Sequence, residues 1–161
     1  MNVDQIRSLQ QSWALVAPHG EAAIASFYQR LFEIDPSTRL LFRSVDMSRQ
    51  HSRLVQALAA TIDGLDRPGQ LLPMLEQLGR RHAGYGVCDR HFDSVGQALL
   101  WTLAQGLGDA WTAELEAAWV EAYGLVSGVM RGAMADRRAS TGTTAFGARP
   151  LASEMSANGG A

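Results

Sequence analysis

The sequence predicts an all-α domain. Apolar residues recur at three- and four-residue spacing through six stretches, which is the repeat of an amphipathic helix. Glycine, proline and aspartate lie between these stretches, where they favour turns. The 161 residues suffice for one domain with a single core, and 47% apolar with 19% charged residues is an ordinary globular balance. Helices are predicted over residues 3–16, 21–34, 45–62, 71–83, 89–108 and 112–136.

The composition excludes several classes of function. A net charge of −2 with no basic stripe argues against nucleic-acid and membrane-surface binding. No apolar run approaches the roughly 20 residues that span a bilayer. Dinucleotide-binding, phosphate-loop and zinc-protease motifs are absent from the sequence. Cys88 is the only cysteine, which rules out an internal disulfide and, with a polar start that lacks a signal-peptide core, suits a reducing cytoplasm.

The second predicted helix turns a tyrosine inward. Tyr28 shares the face of apolar residues spaced three and four apart, so its hydroxyl needs a partner, either a backbone carbonyl or a bound ligand. Asp35 and Pro36 then predict an N-cap and the first position of a short helix that leads to Phe42.

Two neighbouring faces of the third long helix, 45–62, could contact a ligand. Its residues fall in two rows separated by about 100° round the axis: Gln50, Leu54 and Leu58 in one, and His51, Val55 and Ile62 in the other. Either Gln50 or His51 is therefore a candidate for a ligand contact, and a solvated helix face explains both equally well.

The fourth helix carries a histidine into the interior. Its apolar face is formed by residues at every third or fourth position: Leu71, Leu75, Leu78 and His82. Gly84 and Gly86 are expected to end the helix as C-terminal left-handed residues do. A neutral imidazole here could bind an iron centre, although a histidine on an apolar face is also commonly a hydrogen-bonded core residue.

The last two helices complete the predicted domain. One side of helix 89–108 is apolar, and Thr112 is the expected N-cap of the final helix. Helical periodicity ends near Asp136, and small polar residues follow, which cannot bury enough surface to order themselves. We therefore expect a folded domain over 1–137 and a flexible tail over 138–161.

Two linked motifs carry a family resemblance. The chain reads Leu78-Gly79-Arg80-Arg81-His82-x-x-Tyr85-Gly86-Val87, followed by His91-Phe92-x-x-Val95-Gly96-x-x-Leu99-Leu100. This resembles the proximal half of the haem pocket in bacterial single-domain globins, the neuroglobin-like branch that includes the haem domain of flavohaemoglobins. The resemblance extends from about Val3 to about Asp136 and implies a globin fold with a haem pocket between a distal and a proximal helix.

The resemblance implies haem b, iron protoporphyrin IX, as the cofactor. No Cys-x-x-Cys-His motif is present for covalent attachment. His82 would be the axial iron ligand, with its other ring N–H donated to a backbone carbonyl about one turn earlier. Arg81 would pair with a haem propionate. The residues implied to contact the cofactor are Phe42, Leu54, Leu58, Leu78, Arg81, Tyr85, Val87, Phe92, Val95 and Leu99.

The same resemblance implies a polar distal pocket. Bacterial relatives pair a distal glutamine with an inward tyrosine, which correspond to Gln50 and Tyr28, and both side chains could donate hydrogen bonds to O2. In the alternative register, His51 is the distal residue and could bind the iron as a sixth ligand.

Two departures from the flavohaemoglobin pattern lie on the proximal side. That branch places a carboxylate and a tyrosine against the proximal histidine, and here those positions hold Met134 and Phe92. The expected function is reversible binding of O2, NO or CO with retention of O2. NO dioxygenation with a separate reductase is the enzymatic alternative, and a haem-free sensor or partner-binding module is the alternative of another class.

Overall fold

The computed structural model describes residues 1–141 and confirms the all-α class. Within this range there is no strand, and no helix combines the length and apolar character needed to cross a bilayer. Short 3-10 turns, among them Pro36–Phe42, link some of the helices. The six α-helices are α1 (Val3–Val16), α2 (Gly20–Ile34), α3 (Met47–Asp63), α4 (Pro68–Ala83), α5 (Asp89–Leu107) and α6 (Ala113–Thr141).

Side-chain caps set several of the helix starts. Asp35 accepts a hydrogen bond from the backbone N–H of Ser37 at 3.2 Å, as the Asp-Pro signal predicts. Thr112 Oγ1 accepts from the backbone of Leu115 at 3.1 Å, which confirms the predicted cap of α6. Asp46 caps α3, so that helix begins two residues later than its apolar pattern indicates.

The end of α4 differs from the expectation. Gly84 has a helical backbone with φ −77° and ψ −12°, so it is not a left-handed residue. The left-handed residue is Gly86, with φ 77°. The last turn of α4 therefore tightens before the chain reverses, and the reversal comes two residues later, at the position where glycine adopts positive φ without a steric penalty.

The final helix is longer than its periodicity predicts. It continues to Thr141, so residues 138–141, which were expected in the tail, are helical. Arg137 and Arg138 donate hydrogen bonds to backbone carbonyls outside α6. These bonds fix the last turns although they bury little apolar surface. The remainder of the expected tail, 142–161, lies outside the described residues.

The helices that carry the distal and proximal candidates have different neighbours. α3 packs against α1 and α2, whereas α4 packs mainly on α6. α2 in turn packs along α5. A large apolar cluster joins α1, α2, α5 and α6, and a smaller one, centred on Phe92, Met130 and Met134, lies on the proximal side.

A glycine permits the close approach of α4 to α6. A Cβ atom on Gly79 would lie 2.5 Å from the carbonyl oxygen of Met130 and 2.8 Å from its Cα. Because both atoms are backbone, Gly79→Ala must push the helices apart, and we expect it to lower the free energy of unfolding by about 1–3 kcal/mol. Denaturant unfolding measures this.

The matched control for this substitution lies on α6 itself. A Cβ at Gly128 meets nothing within 4 Å, so Gly128→Ala should stabilise the protein by about 0.5–1 kcal/mol through helix propensity. Equal stability of the Gly79→Ala variant and the wild type would mean that α4 and α6 are not in backbone contact.

Candidate functional site

The imidazole of His82 is oriented by one hydrogen bond. His82 lies in the last turn of α4, and its Nδ1 is 2.7 Å from the carbonyl oxygen of Leu78, four residues earlier. This confirms the predicted bond. Because a carbonyl only accepts, Nδ1 carries the hydrogen, and Nε2 is the nitrogen with a free lone pair. Within residues 1–141, no group forms a hydrogen bond with Nε2.

His82 is half-buried, and its surroundings favour the neutral imidazole. Desolvation lowers the pKa of His82 below its ordinary value, and the bond to the Leu78 carbonyl opposes this effect only in part. A neutral imidazole with its hydrogen on Nδ1 is the form that can bind a metal through Nε2. The local chemistry of His82 therefore suits an axial ligand.

An apolar cluster packs against Leu78 and Ala83, which flank His82 in α4. Phe92, Met130 and Met134 are buried together, and Leu78 packs against them. Met134 is 1% exposed. Neither Phe92 nor Met134 can hydrogen-bond to an imidazole, so in the described part of the chain the neutral Leu78 carbonyl is the partner of His82.

Two tyrosines near this cluster have separate roles. The ring of Tyr85 lies 5.5 Å from the ring of His82, centroid to centroid. The hydroxyl of Tyr123 donates to the carbonyl of Phe92, and burial raises the pKa of Tyr123 well above its ordinary value. Its ring lies so close to Gly96 that a Cβ there would come within 2.7 Å of it. Tyr123 thus fixes α6 on α5 and is a core residue.

The distal candidates meet at the hydroxyl of Tyr28. Gln50 Nε2 donates to this oxygen at 3.1 Å, which joins α3 to α2. Tyr28 is 4% exposed. Because its oxygen accepts from Gln50, its own hydrogen must point elsewhere, and no described residue accepts it. The pair therefore presents a donor that a small ligand could use.

Aromatic neighbours hold the Tyr28 ring in place. Phe27 and Phe42 meet it edge-on at centroid distances of 5.1 and 5.2 Å. The ring of His51 stacks on it at 5.2 Å with an interplanar angle of 11°. Such contacts keep the ring, and with it the hydroxyl oxygen, in place.

The packing of α3 bears on the two alternatives for its inner face. In the His51 row, Val55 lies against Gly20 of α2, and Ile62 is buried in the main core. In the Gln50 row, Leu54 and Leu58 are only half-buried. Both rows therefore contact neighbouring helices, since Leu54 and Leu58 pack against the main core as Val55 does. The two candidates differ in how they meet Tyr28: Gln50 bonds its hydroxyl, whereas His51 stacks on its ring.

The hydroxyl of Tyr28 stays protonated far into the alkaline range. Burial raises its pKa to about 12 from the ordinary 10.0, although the bond from Gln50 acts in the opposite direction. Since the folded-state pKa lies above the unfolded one, this contribution to stability is complete below about pH 10 and is lost as the pH rises toward about 12. We therefore expect the difference in free energy of unfolding between wild type and Tyr28→Phe to shrink over that interval. A constant difference would mean that the hydroxyl is not buried.

The other predicted lining residues divide into two groups. Phe92 and Leu99 are buried, whereas Arg81 and Tyr85 on the proximal side are half-buried. Most of the apolar residues in the predicted lining keep part of their surface exposed. These half-buried apolar residues are Phe42, Leu54, Leu58, Leu78, Val87 and Val95.

A polar network beside the site was missed by sequence reasoning. Asp35 accepts from Ser37 Oγ at 2.5 Å and from Ser94 Oγ of α5 at 3.0 Å, and these bonds, with Arg90 nearby, lower the pKa of its carboxyl. The network fixes the turn that carries Phe42 onto α5. The Asp-Pro signal identified the cap, but the partner on α5 is 59 residues away, and no local pattern could indicate it.

Comparison with known proteins identifies the family of this chain. A sequence model of the Globin family matches residues 25–130. The Flavohemoprotein of Xylella fastidiosa (strain Temecula1) is 34% identical over 128 residues, which is 78% of this chain and 32% of that protein. The Flavohemoprotein of Bordetella parapertussis is 34% identical over 131 residues, 80% of this chain and 33% of that protein. The chain thus spans about a third of the length of these relatives.

Solved structures show the same fold. An engineered carbene transferase made from a putative nitric oxide dioxygenase of Rhodothermus marinus superposes with a TM-score of 0.77 at 28% identity, covering 88% of this chain and 99% of that one. Hemoglobin from the botfly Gasterophilus intestinalis gives 0.72 at 13% identity, covering 84% and 99%. The chain belongs to the globin family, in the bacterial branch that includes the haem domains of flavohaemoglobins.

Proposed function

We propose that this protein is a haem b globin that binds O2 reversibly, and NO and CO as well, and that its polar distal pair retains O2. The observation that carries the proposal is the buried hydroxyl of Tyr28, which accepts from Gln50 and whose hydrogen has no acceptor among residues 1–141. Such a donor gains a partner when a small electron-rich ligand binds beside it.

The residues present fit a haem. A porphyrin needs an axial nitrogen, and His82 offers the Nε2 of a neutral imidazole, which has no hydrogen-bond partner among residues 1–141. It also needs apolar surface on both faces, and the half-buried apolar residues defined above lie on α3, α4 and α5 and on the segments that follow Pro36 and precede α5. Arg81, half-buried beside His82, could pair with a propionate.

Each of these side chains has a definable task. The haem would supply the iron to which a diatomic gas binds. His82 would hold it through Nε2, while the Leu78 carbonyl fixes the ring. Leu54 and Leu58 would exclude water from the ligand side. Tyr28 would donate a hydrogen bond to the ligand, and Gln50 would hold the Tyr28 oxygen so that its hydrogen points inward.

Repeated oxygenation tests this proposal. The haem-loaded ferrous protein is cycled between air and an inert atmosphere while its visible spectrum is recorded. We expect the same two spectra to return over several cycles, because a dry pocket with a hydrogen-bond donor protects bound O2 from release as superoxide. Conversion to the ferric form on first exposure to air would contradict reversible O2 binding.

NO dioxygenation with a separate reductase is the second candidate. It is favoured by the Tyr28–Gln50 pair and by the likeness to flavohemoproteins and to a putative nitric oxide dioxygenase. The apolar neighbours Phe92 and Met134 leave His82 bonded to a neutral carbonyl, which gives weaker electron donation than a carboxylate partner would. We therefore expect slow turnover.

Sustained turnover decides between the two candidates. One NO and one O2 combine with one electron to give nitrate, so each cycle needs a reductant. In a cytoplasmic setting a separate NAD(P)H-dependent reductase would provide it. With such a reductase added, continuous NO consumption with matching nitrate formation over many equivalents supports the enzyme. Consumption that stops after one equivalent supports a binding protein.

A further inference from the structure

The last backbone bonds of α4 leave one carbonyl for a side chain. The N–H of Gly84 donates to Arg81 and that of Tyr85 donates to His82, so each reaches three residues back rather than four. In a regular α-helix the N–H of Gly84 would donate to the carbonyl of Arg80. Because the last turn is tighter, that carbonyl lacks this bond. The guanidinium of Arg137, from α6, donates to that oxygen instead. Its cationic nitrogens also lie 3.7 Å from the Cβ position of Gly84, at the negative end of the α4 dipole.

The neighbouring arginine bonds the other end of the same segment. Arg138 Nη2 donates to the carbonyl of Val87, in the connection between α4 and α5. Val87 packs against the proximal apolar cluster and is one of the proposed haem contacts. Two consecutive arginines of α6 thus hold the backbone on both sides of His82, at residues 80 and 87.

We infer that Arg137 and Arg138 are positioning residues for His82: their bonds to the carbonyls of Arg80 and Val87 fix the position and tilt of the imidazole that would hold the haem. The inference rests on the proposed role of His82 as the iron ligand. Both arginines bond backbone carbonyls of the segment that carries His82. They act through the segment 80–87, which would otherwise be held to α6 mainly upstream, where Gly79 meets Met130.

The bonds have a mechanical consequence. Gly84 and Gly86 make this segment pliable, and Gly86 lies at φ 77°. A pliable segment would allow the imidazole to tilt and to move relative to the iron. The iron–nitrogen bond would then be weaker, or its length would vary from molecule to molecule. Anchors on both sides restrict that movement. The last turns of α6 therefore influence the bond between the iron and His82 of α4.

The test compares variants in which leucine replaces an arginine whose side chain donates to a backbone carbonyl near the end of a helix. Arg137→Leu and Arg138→Leu each remove one donor and keep much of the aliphatic side chain. The matched control is Arg67→Leu, because Arg67 Nη2 donates to the carbonyl of Asp63 at 3.0 Å, at the end of α3 and away from His82. Arg137→Lys keeps a donor and a charge and serves as the conservative variant.

Three measurements report on the segment. Resonance Raman of the ferrous, ligand-free, haem-loaded protein gives the iron–histidine stretching band. Transfer of haem to excess apomyoglobin gives the rate of haem loss. Hydrogen exchange of the haem-free protein reports on the amides of residues 80–88 independently of the cofactor.

The arginine variants and the control should differ in all three measurements. We expect Arg137→Leu and Arg138→Leu to broaden or shift the stretching band, to speed haem loss roughly three- to tenfold and to speed exchange in residues 80–88. Arg67→Leu should leave all three unchanged, and Arg137→Lys should lie close to the wild type. If all variants take up haem and show an unchanged stretching band, rate of haem loss and hydrogen exchange, the inference is overturned but the proposed function is not. Equal changes in Arg67→Leu would also overturn it, and lack of haem uptake by the wild type would defeat the proposed function as well.

Discussion

His82→Gly is expected to lower haem affinity by more than about a hundredfold, and added imidazole should restore it. The substitution removes the nitrogen with the free lone pair but leaves the Leu78 carbonyl that orients it. Free imidazole can enter the space left by the side chain and donate to the same carbonyl. The measurement is a haemin titration followed by its absorbance, with and without imidazole.

The control for this prediction is the other histidine near the pocket. His51 stacks on the ring of Tyr28, so His51→Gly should take up haem as the wild type does. If His51→Gly loses haem and His82→Gly keeps it, the assignment of the axial ligand is wrong.

Tyr28→Phe and Gln50→Leu are each expected to speed O2 dissociation roughly ten- to a hundredfold. Tyr28→Phe removes the donor and keeps the ring among Phe27 and Phe42. Gln50→Leu removes the bond that sets the direction of the hydroxyl. Because Gln50 acts in part through Tyr28, the double variant should show less than the product of the two effects. Stopped-flow replacement of O2 by CO measures the rates.

An alternative donor would give a different pattern. If His51 supplied the hydrogen bond, His51→Leu would speed dissociation, while Gln50→Leu would have little effect. We expect His51→Leu to change the rate by less than about threefold. Unchanged rates in both Tyr28→Phe and Gln50→Leu would refute the distal assignment.

Local patterns were sufficient to locate the six helices, though not all of their ends, and to place His82 on an apolar helix face. The apolar spacing around His82 predicts a helix with the histidine turned inward, and helical geometry alone places the Leu78 carbonyl one turn behind it. Asp35 and Thr112 were recognisable as caps because capping depends on residues two or three positions apart. These features need no knowledge of the partner helices.

Contacts between distant residues could not be predicted in this way. Gln50 and His51 are adjacent, and only the folded structure shows that Gln50 bonds the Tyr28 hydroxyl whereas His51 stacks on the Tyr28 ring. The ends of α4 and α6 depend on each other as well. The Arg137 bond to Arg80 joins residues 57 positions apart, so periodicity alone predicts α6 to end too early.

The absorption spectrum of the haem-loaded protein tests the central claim most directly. After addition of haemin and reduction, a Soret band with one broad visible band is expected, as for five-coordinate iron held by a neutral histidine, and His82→Gly should lack it until imidazole is supplied. A ferrous spectrum with two sharp visible bands would show that a second internal ligand such as His51 occupies the gas-binding side. Failure of any Soret band to develop after haemin is added would contradict the account and leave a haem-free sensor or partner-binding module as the function.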